Sequence, residues 1–217
     1  MLRGRPPMDR PSTQTILPAE ILLLCCAVLS LIVACVLCSL HKQAWTDEVF
    51  TWMELSDPSL GHLYSAVQHG ADGGMPLFYA TAWLWAKAFG TGVLALRFYS
   101  CVGMCAALVV TWRTLRRVYG TWATAFGVLS FWGTSGLVLD QNAEARFYGL
   151  FLLTVALALN IYAQLNLEPA PKLRLLLLSL LSQAALVCSH VLGIIYGGLI
   201  LLGLIMSDAA QRRFRHK

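Results

Sequence analysis

The sequence predicts an all-helical, polytopic membrane protein, and three observations carry that expectation. Of its 217 residues, 58% are hydrophobic and only 12% charged, with a mean hydropathy of +0.65, too little polar surface to coat a water-soluble globule. Apolar runs recur at lengths that match the roughly 30 Å hydrocarbon core of a bilayer at about 1.5 Å per helical residue. Basic residues gather on alternate connections, as the positive-inside rule expects. Together these predict about six transmembrane helices plus an outer loop with interfacial helices. The net charge of +5 follows from that topology, and no mixed basic and aromatic patch suited to nucleic acid accompanies it.

Residues 1–20 form a basic cytoplasmic leader with Arg3, Arg5, Arg10 and four prolines. Residues 21–40 are the first span, the start of a membrane module that extends to residue 206. The tetrapeptide Ile32-Val33-Ala34-Cys35 resembles a lipoprotein cleavage box, but the length of the run and the spans that follow predict an uncleaved helix. An outer loop occupies residues 41–92. Within it, residues 49–55 suit a short helix before Asp57-Pro58, and residues 76–89, with Trp83, Trp85 and Lys87, suit an interfacial helix because about 21 Å is short for a crossing.

Residues 94–112 span, 121–139 return and 147–163 cross again. The run 173–206 is about 51 Å long as a helix, too long for one crossing, and His190 with Gly193 divides it into two short spans. A basic cytoplasmic tail follows over 207–217. In this topology twelve Lys and Arg stand inside against four acids, a net +8, and four stand outside against seven acids, a net −3; the two reproduce the +5 of the chain. Making 76–89 a crossing would put Arg113, Arg116 and Arg117 outside.

The seven cysteines all lie in apolar runs. An odd number within lipid is no disulfide framework, and Cys35 and Cys38, lacking His or carboxylate companions, read as small helix-packing residues rather than metal ligands.

Two polar clusters flank the spans on the predicted outer side: Asp47-Glu48 just beyond the first helix, and residues 140–146, which carry Asp140, Glu144 and Arg146. Arg97 and His190 fall at the same level. A carboxylate can accept a proton as a general base, whereas an arginine stays charged and grips phosphate bidentately. One guanidinium–phosphate contact at about 4 Å is worth on the order of 4 kcal/mol at an effective dielectric near 20. An arginine at mid-membrane costs roughly 2.5 to 3.5 kcal/mol on insertion scales, so an interfacial arginine beside a lipid phosphate is energetically reasonable. Glu54, Asp57, Asp140, His62 and His69 read as loop or headgroup-level residues.

Five stretches carry a resemblance: Asp47-Glu48; Met75-Pro76-Leu77-Phe78-Tyr79; Ala95-Leu96-Arg97-Phe98-Tyr99-Ser100; Gln141-Asn142-Ala143-Glu144-Ala145-Arg146-Phe147-Tyr148; and Ser189-His190. In this order they resemble the amino-terminal part of the C-type, polyprenyl-phosphate-sugar-dependent glycosyltransferases, which include the protein O-mannosyltransferases and the aminoarabinose transferase of lipid A. The likeness covers roughly residues 20 to 206. It departs at Met75, where the family has a histidine, and in the proline pair that follows, whose first member is shifted or missing.

The resemblance implies an inverting sugar transfer at the outer face of a membrane, for a bacterial chain the inner (plasma) membrane, with both termini cytoplasmic. The donor would be a polyprenyl-phosphate sugar and the acceptor a glycan, lipid or protein. It implies Asp47 as general base, Glu48 as the residue that orients acceptor or sugar, and Arg97 and Arg146 as holders of the leaving phosphate. Glu144 would position Arg146 or a sugar hydroxyl, with Tyr148 and His190 as further substrate contacts. Some relatives hold a divalent metal on their acids, and the residues leave that open. Two other classes remain: a non-catalytic, lipid-phosphate-binding subunit or truncated relative, and a small transporter, which would place its acids at mid-bilayer.

Overall fold

The computed structural model describes residues 18–71, 75–168 and 171–210. Most of the leader, Asp72 and the end of the basic tail therefore lie outside the described residues. Among those described the fold is all helix: α1 Pro18–His41, α2 Thr46–Leu55, α3 Leu60–Gln68, α4 Pro76–Phe89, α5 Val93–Tyr119, α6 Thr121–Thr134, α7 Gly136–Asn142, α8 Tyr148–Leu167, α9 Leu173–Ser189 and α10 Leu192–Ala210. Four of these, α1, α5, α8 and α10, are long and apolar enough to cross a membrane. The pair α6 and α7, bent by 67° at Ser135, makes a fifth if taken as one broken span. The sequence predicts about six spans, whereas four or five helices qualify; α9 falls short because it has only 17 residues, about 25 Å of helix.

Local chemistry explains the boundaries. Pro76 opens α4, where its missing N–H is no loss, and Gly90 ends it at φ 88°, a conformation that costs a side chain dearly but glycine little. Gly120, at φ 76°, turns α5 into α6. At Ser135 the helical path breaks; the Ser135 hydroxyl accepts the Val138 N–H at 3.4 Å and caps α7. His190 is fully extended (φ −161°, ψ 151°), so the long carboxy-terminal run does divide where the sequence suggested. The loop helix α3 was not anticipated, although Ser59 caps it and Leu60, Leu63, Tyr64 and Val67 recur at helical spacing.

Packing sets the directions. At one end of α1 the carbonyls of Ser39 and Lys42 accept from Arg97 near the start of α5. At the other, Glu20 is bound by Trp112 and Arg116 near the end of α5. The two helices are antiparallel, and Leu31, Met104, Leu108, Trp112, Val128 and Trp132 fill the space between α1, α5 and α6.

Helices α5 and α8 run parallel and cross at backbone contact. A Cβ added at Gly149 would lie 2.0 Å from the Ser100 carbonyl oxygen, and one at Gly103 would lie 2.5 Å from the Gly149 carbonyl carbon. Small residues allow such approach where lipid supplies no hydrophobic driving force between helices. The loop helices α2, α3 and α4 sit over the start of α5 on a second core of Leu55, Leu63, Phe78, Tyr79 and Leu96.

Candidate functional site

The amino-terminal ends of α2 and α5, the carboxy-terminal end of α1 and the loop between α7 and α8 converge at one end of the bundle. At the centre of this convergence Arg97 is wholly buried and meets Glu48 through two parallel hydrogen bonds, Nε to Oε1 at 2.9 Å and Nη2 to Oε2 at 2.8 Å. Its remaining donors reach the backbone carbonyls of Ser39 (3.4 Å), Lys42 (3.0 Å) and Gln43 (3.3 Å). All five N–H groups of the guanidinium are thereby used. Glu48 accepts a further bond from the Ala145 N–H at 2.7 Å. Burial works against the ionised carboxylate, but the Arg97 and Ala145 hydrogen bonds outweigh it and hold Glu48 below its ordinary range.

Asp47, the neighbouring carboxylate, is different. Its side chain is 43% exposed, and the nearest cation, Arg146 Nη2, stands 3.8 Å from Oδ2. Arg146 is anchored from below: Nη1 donates to Thr51 Oγ1 at 2.9 Å and to the Asp47 carbonyl at 3.3 Å. The guanidinium also lies 5.3 Å above the Phe147 ring. On that ring stacks His190, at 4.2 Å between centroids, so the α9–α10 break enters the same site. His190 Nδ1 accepts the Leu192 N–H at 3.2 Å. Burial and then the Arg146 charge lower the imidazole pKa, which favours the neutral ring. Tyr148, the first residue of α8, packs against Phe147 at 4.6 Å.

Glu144 is almost fully buried and pairs with Lys42 Nζ at 2.6 Å; the same ammonium holds the exposed Asp140 at 2.8 Å. Burial dominates at Glu144 and raises its pKa despite Lys42. At Lys42, more open to water, burial opposes the charge but the hydrogen bonds it donates to both acids prevail, and its pKa is also raised. Lys42 is the site residue that sequence reasoning passed over. It is the lone Lys or Arg in an acid-rich stretch between residues 41 and 75, and that contrast was its signal.

The structure thus brings together Asp47, Glu48, Arg97, Glu144, Arg146, Tyr148 and His190, but in two unlike groups. Glu48 and Arg97 saturate one another and tie four chain segments together. Asp47 is open to solvent, whereas Arg146 beside it is only 8% exposed, with His190 stacked on the same Phe147 ring and Glu144 buried against Lys42. Among the described residues no three His, Cys, Asp or Glu side chains are placed to hold a metal ion. Asp47 has an arginine, not a second carboxylate, as its near neighbour, so the donor set does not suit a divalent cation. Comparison of the chain with family models, with curated proteins and with solved structures returns no match.

Proposed function

We propose that this chain is a membrane glycosyltransferase that moves a sugar from a polyprenyl-phosphate donor to a hydroxyl acceptor at the membrane face where Asp47 lies. The observation that carries the reading is the pairing of a half-exposed carboxylate, Asp47, with a cation anchored at 3.8 Å, Arg146, immediately beyond a span. Such a pair offers a proton acceptor and a phosphate holder side by side, with the donor's lipid tail left in the bilayer. Asp47 takes the proton from the acceptor hydroxyl as its oxygen attacks the anomeric carbon. The bond from that carbon to the phosphate oxygen breaks, its electron pair leaves with the polyprenyl phosphate, and the sugar configuration inverts. Arg146 stabilises the charge gathering on the leaving phosphate.

Glu48 and Arg97 take a positioning role here. With all its donors engaged, Arg97 has none left for a phosphate, and Glu48 is shielded from an acceptor. The bond from the Ala145 N–H to Glu48 fixes the backbone next to Arg146, and Glu144 is held by Lys42. The reading also includes six crossings, with α9 as the sixth, both termini cytoplasmic and Asp47 on the outer face of a bacterial plasma membrane.

The test is turnover of a polyprenyl-phosphate sugar by the purified chain in detergent, wild type beside Asp47→Asn. Transfer that is lost in Asp47→Asn, with thermal unfolding unchanged, supports the base assignment. Equal transfer by both variants overturns it. A second reading, a non-catalytic subunit that binds lipid phosphate, draws on the saturated Glu48–Arg97 pair, which removes two of the charged side chains from chemistry. Donor binding without turnover by a folded wild-type chain would favour that reading.

A further inference from the structure

A second charged region lies at the opposite end of the bundle. Helix α8 runs from Tyr148 at the Asp47 site through 20 residues to Leu167, about 30 Å away. There the ends of α5 and α8 and the start of α9 enclose a cleft of about 580 Å³, lined by Arg117, Glu168, Lys172 and Arg174 and walled by leucines that include Leu175 and Leu178. Three cations face one carboxylate, a local net charge of +2. Among the described residues none of these three cations has a carboxylate within 4.0 Å. Arg117 is held instead by a neutral group: its Nη1 donates to Asn160 Oδ1 at 3.1 Å, an oxygen that also accepts Gln164 Nε2 at 2.7 Å. The guanidinium is oriented without being neutralised.

The wall gives the second half of the recognition. Of the leucines that line the cleft, Leu167 is 47% and Leu178 40% exposed, and Leu181, one turn beyond Leu178 on α9, is 64% exposed, an apolar strip that leads away from the basic rim. A free anion would use the rim alone; a phosphate ester that carries acyl chains would use both.

We infer that this cleft binds the headgroup of an anionic phospholipid, with the phosphate among Arg117, Lys172 and Arg174 and an acyl chain along this leucine strip. Basic pockets between membrane helices serve this chemistry, each cation near the headgroup contributing a little under a decade in affinity. The cleft is separate from the Asp47 site, and the inference stands whether or not the chain transfers sugar.

The experiment is native mass spectrometry of the delipidated full-length chain, titrated with phosphatidylglycerol, with phosphatidylcholine and with inorganic phosphate. One phosphatidylglycerol should bind at least tenfold more tightly than phosphatidylcholine. The Arg117→Gln/Arg174→Gln variant should lose about thirty-fold of that affinity, and Arg117→Lys/Arg174→Lys should keep most of it. Equal affinity for the two lipids would overturn the inference. So would undiminished phosphatidylglycerol binding in the glutamine variant, or inorganic phosphate displacing the lipid at comparable concentration, which would mark a free-anion site. If the glutamine variant does not fold, the comparison of lipids on the wild type decides alone.

Discussion

Removing Glu48 should unfold the site end of the bundle rather than merely weaken it. In Glu48→Met, Arg97 stays wholly buried with its charge uncompensated; Nε and Nη2 lose the carboxylate at 2.9 and 2.8 Å, while the carbonyls of Ser39, Lys42 and Gln43 remain. The Ala145 N–H loses its acceptor as well. Breaking a buried pair in this way costs about 3 to 5 kcal/mol, and the orphaned amide, about 1 to 3 kcal/mol by itself, places the loss toward the upper end. By contrast the Lys42–Asp140 bond, with Asp140 60% exposed, is worth about 0 to 1 kcal/mol.

Glu48→Met/Arg97→Met removes both charges and refills the volume, so it should cost less than the two single substitutions together by about 3 kcal/mol. Equilibrium unfolding in mixed micelles, followed by helical ellipticity and tryptophan fluorescence, measures all three variants. Single substitutions that cost no more than about 1 kcal/mol, or effects that simply add, would refute the view of this pair as the anchor of the site.

Four further outcomes are expected. Gly149→Ala, whose Cβ would fall 2.0 Å from the Ser100 carbonyl oxygen, should push α5 and α8 apart and cost at least the roughly 1 to 3 kcal/mol of an overpacked core; a neutral effect on unfolding would show that the crossing is loose. Arg146→Ala should lower kcat/KM for the sugar donor by more than its loss of the buried Thr51 and Asp47 carbonyl bonds costs in unfolding, and a larger effect on unfolding than on kcat/KM would make Arg146 structural. Glu48 has a lowered folded pKa, so its contribution is present above the ordinary value of 4.5 and is lost as pH falls through the folded value. The acid limb of the stability profile should therefore shrink in Glu48→Gln, and an unchanged limb would contradict the assignment. Glu144, raised by burial against the pull of Lys42, has the reverse dependence, with stability present below 4.5 and lost as pH rises through the folded value; the wild-type profile minus that of Glu144→Gln should slope downward with pH.

Much of the fold is legible in the chain because its causes are local. Twenty apolar residues need no distant partner to declare a span, and the α4 bounds follow from Pro76 and the left-handed Gly90. The breaks at Gly120 and His190 also sit beside residues that mark them. The division of α6 from α7 is less legible, since 121–139 reads as one apolar run, and only the cap at Ser135 betrays the 67° bend.

The candidate site is legible as a set of residue types but not as a set of roles. Asp47 and Glu48 are adjacent in sequence and equally acidic, yet helical geometry turns Glu48 into the bundle and leaves Asp47 in the open. Glu48 then finds Arg97 49 residues away, and Lys42 finds Glu144 102 residues away. The Arg146–Phe147–His190 stack joins segments more than forty residues apart. By itself the sequence determined most of the long apolar helices and the bounds of α4, since backbone propensity and hydropathy act over a turn or a span, but not α3 or the bend between α6 and α7. Only the tertiary structure decided which charges neutralise one another and which stay open to a substrate, because an ion pair depends on a few ångströms of separation and on exclusion of water, and both arise from packing.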